Sequence, residues 1–177
     1  MPGYLWLCKQ SLRSLLVIFG FLLLFANRTN AQDLLPDRMS GIWVGHLQLW
    51  SNGVKRDSVP VVLTVSPRGA ERWQWKMEYR SEKNPMVKDY ELRLKDRARQ
   101  LYVTDEGGGV VLEDFAYGNK MFSAFETQGI WLTSSQELRD DTLIFEVTAG
   151  KQLPATGEGV VNYGVTSLQR AVLKRQR

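Results

Sequence analysis

RWQWKMEYR (Arg72–Arg80) alternates strictly. Trp73, Trp75, Met77 and Tyr79 fall on one side of an extended chain; Arg72, Gln74, Lys76, Glu78 and Arg80 fall on the other. Successive side chains of a strand point to opposite faces, so this segment has one apolar face and one wet face. DYELRLK (Asp89–Lys95) repeats the scheme, setting Tyr90, Leu92 and Leu94 against Asp89, Glu91, Arg93 and Lys95. Outward from this pair the same pattern continues in both directions. Upstream lie Ile42–Trp50, closed by SNG, and Ser58–Ser66, closed by PRG. Downstream come Gln100–Thr104, Val110–Tyr117, Met121–Glu126, Ile130–Leu138, Thr142–Gly150 and Glu158–Lys174, separated by DEGGG, GNK, TQG, RDD and KQLPATG. Short alternating runs between turn residues predict an all-β domain.

Ten such runs joined by tight turns predict an up-and-down antiparallel meander. A flat sheet would leave the apolar faces in water. Closing the sheet buries them and removes both edges, so a closed antiparallel β-barrel of about ten strands is expected, with a two-sheet β-sandwich as the alternative. LLPDRMS (Leu34–Ser40) precedes the first strand and is expected to form one turn of 3₁₀ helix plugging the floor.

Residues 1–31 read differently. Lys9 and Arg13 precede SLLVIFGFLLLFA (Ser14–Ala26), an apolar block of 13 residues. A membrane-spanning helix needs roughly 20, so the block reads as the core of a secretory signal, with an uncleaved N-terminal anchor as the alternative. Thr29 and Ala31 suit cleavage after Ala31; cleavage after Ala26 is the other choice. The domain organisation expected is therefore a signal over 1–31 and one barrel domain over 32–177, exported to a periplasmic or extracellular space.

Removing the signal changes the charge. The full chain has a net charge of +4, but Lys9, Arg13 and Arg28 lie before Gln32, which leaves 20 basic against 19 acidic residues. A near-neutral domain gives no electrostatic footprint for nucleic acid. The only cysteine, Cys8, also belongs to the signal, and it precedes the apolar block, where a lipid-attachment cysteine would follow it. No disulfide is available to the mature chain, so its core must hold it together. After signal removal no integral membrane segment is expected, and nothing fixes the oligomeric state.

Gly41-Ile42-Trp43, at the start of the first strand, resembles the opening motif of the lipocalins and the wider calycin superfamily. That group also includes fatty-acid-binding and nitrobindin-like barrels. The resemblance implies an antiparallel barrel of eight to ten strands that holds a small, mostly apolar ligand. It also implies that Trp43 sits at the closed end beneath a basic side chain from the last strand. An arginine there can lie over the indole and satisfy carbonyls of the opening turn. Arg170 is the first candidate and Arg175 the second, with Gly41 allowing the close approach. The chain lacks the Asp-Arg style turn and C-terminal helix of typical lipocalins, and the helical lid of fatty-acid-binding proteins. Nitrobindin-like barrels raise haem through a late histidine. The only histidine, His46, lies in the first strand and should face outward if Trp43 faces inward.

The residues single out no cofactor. One histidine and no mature cysteine make zinc and copper sites improbable. DEGGG and RDD lack calcium-loop spacing and read as hairpin turns. No serine sits in a nucleophile elbow. Glu113 and Asp114 are adjacent, so one faces the lumen and the other does not. If Phe115 and Tyr117 point inward, Glu113 joins them; otherwise Asp114 does, with Val110, Leu112 and Ala116. A carboxylate in the lumen should have a raised pKa. The ligand-facing candidates are Trp73, Trp75, Met77, Tyr79, Tyr90, Leu92, Glu113 and Phe115.

Three functions fit this pattern. The first is non-catalytic binding of a small apolar or amphipathic molecule in the lumen. The second is an isomerase or cyclase in which the lumen carboxylate and Tyr90 or Tyr163 move protons. The third is a filled barrel acting through its outer face in the cell envelope.

Overall fold

The computed structural model describes residues 33–177, so the segment read as a signal lies outside the described residues. A five-residue helix, α1 (Leu35–Met39), leads into ten strands: β1 (Gly41–Ser51), β2 (Val54–Gly69), β3 (Arg72–Tyr79), β4 (Met86–Asp96) and β5 (Leu101–Gly107). The second half comprises β6 (Val110–Tyr117), β7 (Lys120–Thr127), β8 (Ile130–Arg139), β9 (Thr142–Leu153) and β10 (Asn162–Arg175). Each strand pairs antiparallel with its sequence neighbour, and β10 returns to pair with β1, so the sheet is a closed barrel. The closure register sets Trp43 opposite Arg175, Leu47 opposite Ala171 and Ser51 opposite Ser167. The two-sheet alternative is thereby excluded.

Local chemistry explains the tight turns. The two central residues of Asn52-Gly53, Gly108-Gly109 and Gln128-Gly129 all have positive φ. That is the geometry of the two-residue hairpin whose twist matches its flanking strands. Such turns fix register, and register fixes which face each side chain takes.

The inner face carries the core. Trp43, Leu47, Val61, Leu63, Val65, Trp73, Trp75, Met77, Leu92, Ala171 and Leu173 are buried together in it. The outer face of β3 to β6 is ionic. Gln74 donates to both oxygens of Asp89 at 2.9 Å, Arg93 reaches Asp105 at 3.4 Å, and Lys95 pairs with Glu113 at 2.5 Å. Exposed pairs of this kind add little stability; they keep that face wet. Among the described residues no helix is long and apolar enough to cross a membrane.

Two departures from regularity matter. Gly150 in β9 lies opposite Val165, where the ladder to β10 shifts register. A Cβ at Gly150 would sit 2.3 Å from the Gly164 carbonyl oxygen, with backbone on every near side. At Gly164 an added Cβ would meet only the Leu153 side chain, at 3.0 Å. Gly150→Ala is therefore expected to cost about 1–3 kcal/mol, as overpacking does, and Gly164→Ala distinctly less, read from urea midpoints of the two variants. The second departure is the β6–β7 ladder. It has only three pairs, Phe115–Phe122, Ala116–Met121 and Tyr117–Lys120. Above them the Ser123 hydroxyl donates to the Glu113 carbonyl at 2.8 Å.

Candidate functional site in the barrel lumen

The barrel has a floor and a mouth. The floor is built by α1 and the residues that strap it down. Leu34, Leu35 and Met39 are buried against Trp43, Trp73 and Tyr102. Pro36 suits the first turn of a helix, where its missing N–H has no partner to lose. Trp43 Nε1 donates to the Met39 carbonyl at 2.8 Å, and Trp73 Nε1 donates to Asp37 Oδ1 at 2.8 Å. Arg38 Nη2 donates to the Gly118 carbonyl at 2.7 Å, tying the helix to the β6–β7 turn. The floor segment is thus α-helical where a 3₁₀ turn was expected.

Arg175 closes this end. Its Cζ lies 4.1 Å from the centroid of the fully buried Trp43 ring. Its Nη1 donates to the Ser40 carbonyl, and its Nη2 to the Arg38 carbonyl at 2.9 Å. One guanidinium therefore covers an indole and caps the end of α1. Gly41 has φ +137°, and a Cβ there would lie 2.8 Å from Arg175 Nη1, so both backbone and space call for glycine. Arg170, the first candidate from sequence, is not the stacking residue. It is five positions from Arg175 on β10, hence on the opposite face, where it lies opposite Gln48 and 3.6 Å from Glu146.

Above the floor a cavity of about 200 Å³ opens toward the mouth. Trp75, Tyr79, Tyr90 and Leu92 line it, as do Phe125 and Phe145. Trp73 and Met77 share their inward direction but are packed in the core and do not border the cavity. Glu113 and Phe115 correct the sequence reading. Both point outward: Glu113 is held by Lys95, which keeps its carboxyl below the usual range, and Phe115 lies 5.5 Å beneath the Arg99 guanidinium. Tyr117 on the same face is 66% exposed, so the largest aromatics of β6 are outside.

Asp114 is the carboxylate that faces inward. It is 3% exposed and borders the cavity. Thr104 Oγ1 donates to its Oδ2 at 2.7 Å. Burial pushes its pKa up to about 6; the Thr104 bond opposes this, and the charge of Glu106 adds to it. Glu106 stands exposed at the mouth. Tyr90 is pushed up to about 12, first by burial and then by the same Glu106 charge.

The remaining polar wall is neutral: Ser123, Ser134, Gln136 and Gln169. Gln136 Oε1 is buried without a hydrogen-bond partner. Sequence reading missed these residues because serine and glutamine on β7, β8 and β10 look like outer-face positions. The signal was parity: Met121 is buried, so Ser123 and Phe125 share its face, and Gln136 pairs with Met121 across the ladder.

His46 is exposed on the outer face of β1, opposite Val172. DEGGG and RDD form the β5–β6 and β8–β9 hairpins. Tyr163 stands outside the cavity wall, stacked on Trp131 at 5.4 Å. Among the described residues no three of His, Cys, Asp and Glu are grouped to hold a metal ion.

Fold and cavity together define a closed ten-stranded barrel with a small, one-sided lumen. The chain is similar in structure to the S-type phycobiliprotein lyase of Guillardia theta, with a TM-score of 0.56 over 80% of this chain and 90% of that one. The two are 10% identical in sequence, so the likeness is one of fold. No protein-family model matches the chain, and no curated protein matches it in sequence.

Proposed function

We propose that this chain is an exported, calycin-like barrel that holds one small amphipathic molecule in the upper lumen and does not transform it. The observation that carries this reading is the cavity itself, whose wall is made of aromatic and aliphatic side chains with polar ones set among them. Ligand sites are commonly of that kind: apolar pockets with a small number of placed polar groups. Its volume of about 200 Å³ limits the occupant. An engineered apolar cavity of roughly 150 Å³ admits benzene, and drug-sized pockets begin at roughly 300 Å³. A single ring with a short polar arm is the scale of molecule that fits. The apolar, lightly basic segment before Gln32 supports export.

The test is binding of 2-phenylethanol, followed by methyl NMR. The expected result is saturable shifts at Leu92, Leu112 and Val147, which border the cavity, with none at Leu63 in the core. Ser134→Trp, which fills the lumen, should abolish them. Shifts spread over the outer face, or their persistence in Ser134→Trp, would overturn the lumen as the site. A mature N-terminus at Gln32 or Asn27 in protein from its own host would support export, and an intact Met1 would count against it.

Asp114 favours a second reading, proton transfer to a bound substrate, because its pKa near neutrality suits a general base. The two readings differ in what NMR of the small molecule extracted after incubation shows. The first returns the molecule unchanged; the second returns an isomer.

A further inference from the structure

We infer that the lumen selects a molecule carrying a protonated amine on an aromatic or aliphatic body. The inference rests on the lumen-binding reading and deepens it. Three observations lead to it. First, among the described residues the wall contains two carboxylates, Asp114 deep within and Glu106 at the mouth, and no Lys, Arg or His. The other titratable groups facing this space are Tyr79 and Tyr90, whose pKa values are raised above 10, so they stay neutral at neutral pH.

Second, the buried carboxylate of Asp114 has a single side-chain donor among the described residues. Asp114 accepts from Thr104 through Oδ2 and borders the cavity. An ammonium group supplies N–H donors and a charge, both of which complement the Asp114 carboxylate. Third, the apolar part of the wall is rich in aromatic rings. Trp75, Tyr79, Tyr90 and Phe125 present ring surface to the body of such a molecule and electron-rich faces to its cation.

An anionic ligand is disfavoured by the same wall. Its carboxylate would meet Asp114 in a partly dehydrated space without a countercharge. A neutral alcohol would satisfy one acceptor and leave the charge of Asp114 unpaired.

The experiment compares three probes of one shape on the intact barrel: 2-phenylethylamine, 2-phenylethanol and phenylacetate. By calorimetry near neutral pH the amine is expected to bind about tenfold or more tighter than the alcohol, the scale of one charge-assisted hydrogen bond. Phenylacetate should be weakest. The amine's advantage should disappear in Asp114→Asn, and should fall about tenfold between pH 7 and pH 5 as Asp114 takes up its proton, while the alcohol's affinity changes little. Glu106→Gln, at the exposed mouth, should reduce the preference less. Equal binding of amine and alcohol, or an amine preference that survives Asp114→Asn, overturns this inference and leaves the lumen reading standing. Binding of none of the three overturns both.

Discussion

Asp114→Asn is expected to make the barrel more stable at about pH 7.5, by about 2–3 kcal/mol. In the unfolded chain Asp114 ionises near its ordinary 3.8, but in the barrel only at about 6. Between those values the unfolded chain has released a proton that the folded one still holds. Stability therefore falls as pH rises through that window, and stays at the lower level above it. Asparagine keeps an oxygen for the Thr104 hydroxyl and has no charge to desolvate. Urea midpoints of the two proteins should thus coincide near pH 4 and separate progressively to pH 7. Glu78, Glu113 and Glu137 have lowered pKa values and bend both curves the opposite way. They are common to both proteins, so the difference isolates Asp114. Identical curves would mean that Asp114 ionises as freely in the barrel as in water.

The second large effect lies at the floor. Trp43→Ala should lose about 3–5 kcal/mol, the range for a buried aromatic truncated in a core. Arg175→Ala should lose about 2 kcal/mol, through the stacked cation and the two carbonyls it caps. The two losses should not add, because each side chain holds the other in place. Arg170→Ala is the control, expected within about 0.5 kcal/mol, since its ion pair with Glu146 is on the outer surface. A loss at Arg170 equal to that at Arg175 would contradict the register of β10 against β1.

The architecture was legible because it depends on alternation and turns. Trp73, Trp75, Met77 and Tyr79 against Arg72, Gln74, Lys76 and Glu78 leave no doubt about a half-buried strand, and two-residue hairpins carry the register onward. Strand ends were less legible. β2 begins at Val54, four residues before the run read from sequence, because the Asn52-Gly53 hairpin continues the backbone pairing with β1 even where side chains are polar. The site divided along the same line. The β3 and β4 residues were placed by their own alternation. On β6 the alternation is apolar on both faces, which left both orientations of the strand open, and Phe115 and Tyr117 sit outside, under Arg99 and beside Phe122. The deciding fact was Lys95, two strands away on the outer surface, which claims Glu113. That contact exists only once β4, β5 and β6 are paired in register. Arg170 against Arg175 could have been resolved by counting, since odd positions of β10 share the face of buried Ala171 and Leu173.

The three-pair seam between β6 and β7 sets how traffic can pass. Every other stave of this cylinder is zipped by five or more paired residues, while this one is fastened only near the floor and, higher up, by a serine hydroxyl. Parting it breaks few backbone bonds. Ser123 and Phe125 on one lip, and Leu112 and Asp114 on the other, are themselves wall residues of the cavity. On the proposed lumen reading, a bound molecule would thus have a side door that leaves the indole-and-guanidinium lock undisturbed, and its exchange would not loosen what keeps the barrel folded.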